Sequence, residues 1–172
     1  MNPARRLLIG AIVVVAGALG YAGGRVAFRP SLLVTQPIAF NHLKHVEEAG
    51  LGCEVCHEGC LTGGHARLPS LDTCLQCHEP SETDQPELKK LAEFASAGQE
   101  VVFRKTFHLP DNVFYSHRRH AGIAALPCET CHGAIAKTTE PPRRPLQRVT
   151  MEFCLDCHRK DAVSSDCTSC HR

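Results

Sequence analysis

The chain has 172 residues, a formal charge of +1, 5% aromatic residues and no Trp. That length suits one compact domain plus extras, but so few aromatics give little material for an ordinary hydrophobic core. No basic cluster stands out, which excludes nucleic acid as the expected partner.

The N-terminus reads MNPARRLLIGAIVVVAGALGYAGGRVAF. Arg5 and Arg6 precede an uncharged run of 18 residues from Leu7 to Gly24, just short of the ~20 that cross a hydrocarbon core as a helix. Val26 to Phe28 bring it to length, with Arg25 near the outer interface. A cleaved secretory signal ending near Ala16-Gly17-Ala18 is the alternative. The length of the run favours one uncleaved N-terminal transmembrane helix over residues 1–29. Ala16, Gly20 and Gly24 are spaced to admit a second helix, although a Gly/Ala-rich anchor needs none. Arginines at both ends leave the orientation open.

Residues 30–38 (PSLLVTQPI) read as an extended linker. Residues 40–57 then read FNHLKHVEEAGLGCEVCH: an aromatic residue, His42-x-x-His45, a short spacer and Cys53-x-x-Cys56-His57. A second motif follows at Cys74-x-x-Cys77-His78. The stretch 81–107 joins this module to the next. Within it, Asp84 and Glu87 suggest a capping box with Pro86 in the first turn. Leu88, Leu91, Ala92 and Ala95 share one helical face, and Gly98 closes the helix. Residues 101–107 (VVFRKTF) suggest a short extended segment. Residues 114–132, FYSHRRHAGIAALPCETCH, repeat the first block with His117-x-x-His120 and Cys128-x-x-Cys131-His132. Two more motifs follow, Cys154-x-x-Cys157-His158 and Cys167-x-x-Cys170-His171, with PPRRP at 141–145 as a loop. The expected fold class is mostly α and loop, with little sheet.

Two thiols two residues apart can add to the two vinyl groups of one haem, and the next histidine then ligates its iron. Zinc ribbons, redox dithiols and structural disulfides also use paired cysteines, but none needs a histidine after every pair. With 11 histidines in 172 residues, five chance successes in five come to roughly one in a million. The expected cofactors are therefore five covalently attached haem c, with the porphyrins supplying much of the core. The domains are then an anchor at 1–29, a two-haem module at 30–80, a linker at 81–107 and a three-haem module at 108–172. Each ferric haem with ionised propionates adds roughly −1, bringing the total to about −4, and to about −9 on full reduction. That favours a basic partner face. Haem c is attached on the exported side. The expected location is the inner (cytoplasmic) membrane by a single-pass anchor, with the haem domain periplasmic.

Six histidines remain: His42, His45, His65, His108, His117 and His120. Trans-axial ligands approach one iron from opposite faces, whereas two histidines three apart on a helical turn share a face. His42 and His45 should therefore serve two different haems, and so should His117 and His120, each pair clamping two haems close together. The fifth distal ligand is expected at His108, with His65 as the alternative and Met151 as a third option. If every iron is six-coordinate, no substrate reaches a metal, no catalytic residue is expected, and the protein moves electrons. Cys60 is the odd cysteine and reads as a stray buried thiol.

These blocks resemble the class III multihaem cytochromes c of the c3/c7 type. FHLPDNVFYSHRRHAGIAALPCETCHG with RVTMEFCLDCHR is similar to the membrane-anchored pentahaem subunit of alternative complex III and related quinone-linked complexes. The resemblance covers roughly residues 36–172. It implies electron transfer between the subunits of a quinol-oxidising complex and a downstream redox carrier. His65 and Cys60 stand outside that pattern, so the fifth distal ligand stays open between His108 and His65. Two other functions compete: a free-standing anchored or secreted shuttle cytochrome, alone or as a polymer, and a multihaem reductase with one open iron.

Overall fold

A computed structural model describes residues 2–27, 33–80 and 83–171. The chain falls into two units, Met1–Leu32 and Leu33–Arg172. Residues 30–32, in the expected linker, and Phe28 lie outside the described residues, as do residues 81 and 82 at the start of the 81–107 stretch.

The first unit is helix α1, Pro3–Ala27. Among the described residues no helix is long and apolar enough to cross a membrane. This corrects the expected transmembrane anchor at 1–29 and, with it, the single-pass inner-membrane location. Gly and Ala supply six of the thirteen residues from Ile9 to Tyr21 and add little apolar surface. The Gly20/Gly24 spacing extends beyond the side chains described.

The second unit is helix and loop. Its only β pairing among the described residues is an isolated bridge between Val113 and His171. Its apolar core is small: Ile38, Leu71, Leu91 and Val101, with Leu75, Leu88, Phe94, Ala95 and Phe103 packed around them. Helix α2, Pro86–Ser96, brings Leu91 to this core, as the Leu/Ala spacing predicts. Pro86 sits in its first turn, and Gly98 at φ +60° ends it in the left-handed conformation that glycine adopts without strain. The expected capping box does not form. Gln85 is the N-cap and makes no side-chain cap bond. Glu87 instead accepts the Ala39 backbone N–H at 2.6 Å and pairs with Lys90 at 2.7 Å, tying the helix to the segment before the first block. The stretch 101–107, expected as an extended segment, forms no strand. The Gln36 side chain stands in for a neighbouring strand, donating to Arg104 O at 2.7 Å and accepting from Arg104 N at 2.8 Å.

The repeat is geometric as well as textual. Each clamp folds as one π-helical turn, Leu43–Glu48 and Arg118–Ile123, closed by Ala49 N donating to Lys44 O and Ala124 N to Arg119 O. The wider i→i+5 turn is a form that recurs at functional sites. Leu51 N then bonds His45 O, and Leu126 N bonds His120 O, both at 3.0 Å. The residue between each pair is left-handed, Gly50 at φ +70° and Ala125 at φ +51°. The aromatic that corresponds to Phe40 is Tyr115, one residue after Phe114.

Candidate haem-binding site

Each C-x-x-C-H motif closes on itself as a helical turn. The histidine N–H donates to the first cysteine's carbonyl in Cys53–His57 (2.8 Å), Cys74–His78 (3.0 Å), Cys128–His132 (3.0 Å) and Cys167–His171 (2.8 Å). The remaining motif, Cys154–His158, lies inside helix α3, Met151–Lys160, whose N-cap Thr150 accepts from Phe153 N through its side chain. Residues at i, i+3 and i+4 of such a turn share a face, so both thiols and the imidazole come to one side.

The clamp histidines look toward those motifs. His45 faces His78 with ring centroids 5.9 Å apart. His117 faces His132 at 6.3 Å, and His120 faces His158 at 6.1 Å. A metal–imidazole bond of about 2 Å, plus about 1.2 Å from that nitrogen to the ring centre, puts two trans imidazoles about 6.4 Å apart. All three separations suit two imidazoles on opposite sides of one iron. His42 completes the pattern, lying within electrostatic reach of His57. Neighbouring clamp histidines thus face different motif histidines. Phe40 stacks on His45 at 4.3 Å and meets His42 edge-on at 4.8 Å; Tyr115 does the same to His120 at 4.5 Å and His117 at 4.9 Å. One aromatic in each block therefore orients both rings of its clamp.

The second layer of hydrogen bonds points the same way. Nδ1 meets a backbone carbonyl in four histidines: His45 with Asn41 (2.8 Å), His57 with Arg67 (2.9 Å), His120 with Ser116 (2.9 Å) and His158 with Ser164 (2.6 Å). A carbonyl accepts only, so Nδ1 carries the proton and Nε2 keeps its lone pair for a metal. Burial, with His57 and His45 nearby, pulls His42 down to about 4. Burial also lowers His117 and His132. The neutral imidazole is the form that binds iron.

The thiols also fall into an order. Cys53 lies against Cys128 within hydrogen-bonding reach, with Cys60 beside them; burial first, and Cys128 next, push Cys53 up to about 11. Cys56 neighbours Cys74 and Cys77. Cys131 neighbours Cys154 and Cys157, and Cys154 neighbours Cys170. Cys60 is buried at 8% exposure.

The remaining candidates are less gathered. His65 is exposed and sits near His117, because Gly64 O and Gly63 O accept the N–H groups of His117 and Arg118 at 3.0 and 2.8 Å. His108 is exposed, with Nε2 on Lys105 O at 3.2 Å. The segment just after it runs along the last motif: Asn112 Nδ2 is 3.4 Å from His171 Nδ1, and Phe114 N donates to Cys170 O at 2.8 Å. Met151 opens α3 and is exposed. Among the described residues no three of His, Cys, Asp and Glu converge as a cage for a bare ion. Haem iron asks the protein for at most one ligand per face, and paired imidazoles beside paired thiols fit it. Sequence reasoning missed Thr138, whose hydroxyl lies 3.1 Å from His42 Nδ1 across 96 residues; no local pattern marks it.

Comparison with known proteins falls on both halves of this arrangement. Residues 27–101 match the class III cytochrome C family, and residues 113–172 match the family of cytochrome c7 and related cytochrome c. The multiheme cytochrome c subunit of menaquinone reductase from Nitratidesulfovibrio vulgaris (strain Hildenborough) is 30% identical over 161 residues, covering 80% of this chain and 77% of that protein.

Proposed function

This chain belongs to the class III multihaem cytochromes c, and from that premise we propose that it is a five-haem electron wire serving a quinone-linked complex. As a member of that family it carries covalently bound haem c and transfers electrons. The finer reading assigns one haem to each of the five motifs, in a two-haem module at 30–80 and a three-haem module at 108–172. Proximal ligands are His57, His78, His132, His158 and His171. The distal partners are His42 for His57, His45 for His78, His117 for His132 and His120 for His158. The observation that carries it is the set of three imidazole pairs at 5.9–6.3 Å.

His108 is the proposed partner of His171, because its own segment runs along that motif while His65 is tied to the second clamp. Binding iron there requires the Nε2 contact with Lys105 O to open. The haem supplies a one-electron couple. The protein supplies neutral imidazoles held by Nδ1 hydrogen bonds, aromatic walls, and thiols that fix the edges. The thiol neighbours order the sites as His78, His57, His132, His158, His171. Consecutive sites lie side by side, which suits electron transfer, and two imidazoles on every iron would leave no position for substrate.

The relative is named as part of a menaquinone reductase, and the resemblance seen in the sequence is also to quinone-linked complexes. The quinone itself is then handled by a partner subunit, with a redox carrier at the other end of the wire. The test is purification under mild conditions from the native source. The expected result is a stable complex with a quinone-binding subunit, in which quinone or quinol changes the redox state of the haems. A chain recovered alone, with haems that no quinone species oxidises or reduces, would overturn the assignment. Mass measurement of His108→Ala and His65→Ala variants with spectra decides the fifth ligand: only the true ligand's loss yields high-spin iron at unchanged haem content.

A further inference from the structure

The two repeat blocks hold each other reciprocally. Leu43 N donates to Thr138 O at 3.0 Å, and Arg118 N donates to Gly63 O at 2.8 Å. In the repeat, Leu43 corresponds to Arg118, and Gly63 corresponds to Thr138. Each clamp is therefore gripped by the loop that follows the other block's C-x-x-C-H motif. Cys53 meets its own counterpart, Cys128, at the centre. The junction has approximate two-fold symmetry, and Gly122 shows how close it is: a Cβ there would overlap the Leu61 carbonyl oxygen.

The symmetry breaks at one side chain. Thr138 carries a hydroxyl and Gly63 carries nothing. The Thr138 hydroxyl donates its single proton to Ile135 O at 2.8 Å. Toward His42 Nδ1, 3.1 Å away, it can then only accept, so His42 holds its proton on Nδ1 and offers Nε2. His117 occupies the equivalent place and its Nδ1 is the only buried side-chain N or O without a hydrogen-bond partner among the described residues. An imidazole that donates from Nδ1 is the more basic ligand, and a more basic axial ligand favours ferric over ferrous iron.

We propose that Thr138 is a positioning residue that makes the His42/His57 haem the lower-potential member of the symmetric pair, setting the downhill direction across the junction from the His57 side to the His132 side. This rests on the five-haem reading with its axial pairs. The backbone bonds of the junction do not need the hydroxyl, so a substitution at Thr138 separates tuning from docking.

The experiment is a redox titration of the full haem-loaded protein, with haem content measured by mass, for wild type, Thr138→Val and Thr138→Ser. The expected result is that Thr138→Val raises one of the five midpoint potentials and leaves the others in place, while Thr138→Ser stays at the wild-type values. Unmoved or lowered midpoints in Thr138→Val overturn the proposal. Should Thr138→Val not load fully, Gly63→Ser tests the same idea from the other side: one midpoint falls, and an unchanged titration overturns the proposal. Wild-type protein with fewer than five haems would instead count against the five-haem reading, independently of any shift at Thr138.

Discussion

Residues 33–101 and 102–171 carry the same clamp but are stabilised differently. Every buried hydrophobic residue among those described lies in the first stretch, from Ile38 to Val101, the latter at 3% exposure. The second stretch has none, although it carries three motifs to the other's two. Its order comes from local devices: the Thr150 cap on α3 and the π turn at Arg118–Ile123. A small ordinary core lets the first stretch hold shape through side chains. On the five-haem reading, the second would depend on what its thiols and imidazoles bind.

The largest test of this difference is to make the chain without attached haem. Hydrogen exchange should then show residues 114–171 losing protection almost entirely, while amides of Pro86–Ser96 keep measurable protection. Equal loss in both stretches would erase the comparison. Next, Leu91→Ala in the haem-loaded protein should cost about 2–4 kcal/mol in denaturant unfolding, because Leu91 is buried in the small core. Its low-spin spectrum should be unchanged, since the small core around Leu91 contains none of the axial histidines.

The junction between the stretches gives a smaller effect. Gly122→Ala must displace the backbone at Leu61 and should cost about 1–3 kcal/mol. It should also weaken magnetic coupling between the haems on the two sides. Smallest is a gain. Ala125 holds φ +51° where the first block has Gly50. Ala125→Gly should stabilise the second clamp by up to about 1 kcal/mol, as relief of left-handed strain outweighs glycine's extra chain entropy. A matching Gly50→Ala should lose a similar amount, and a change of the same sign in both variants would show that the turns are not equivalent.

What the sequence revealed was what short spacing controls. C-x-x-C-H turns, His-x-x-His turns and the Leu/Ala face of α2 are all set within one or two helical turns, so the residues announce them. The Asp84–Glu87 cap was misread because Glu87 had a better use: Ala39 N, distant in sequence, lies 2.6 Å from its carboxylate. The hold of Thr138 on His42 and the Cys53/Cys128 contact join residues far apart in the chain, and periodicity carries no trace of such contacts. The apolar N-terminal run shows the converse: its hydropathy suggested a span that the described helix does not provide.

The account stands on imidazoles occupying both axial positions at every iron. Low-temperature electron paramagnetic resonance of the oxidised, full-length protein, integrated against its haem content, tests that most directly. Five low-spin ferric haems per chain, with no high-spin signal, is the predicted result. A high-spin signal amounting to one haem or more would contradict it.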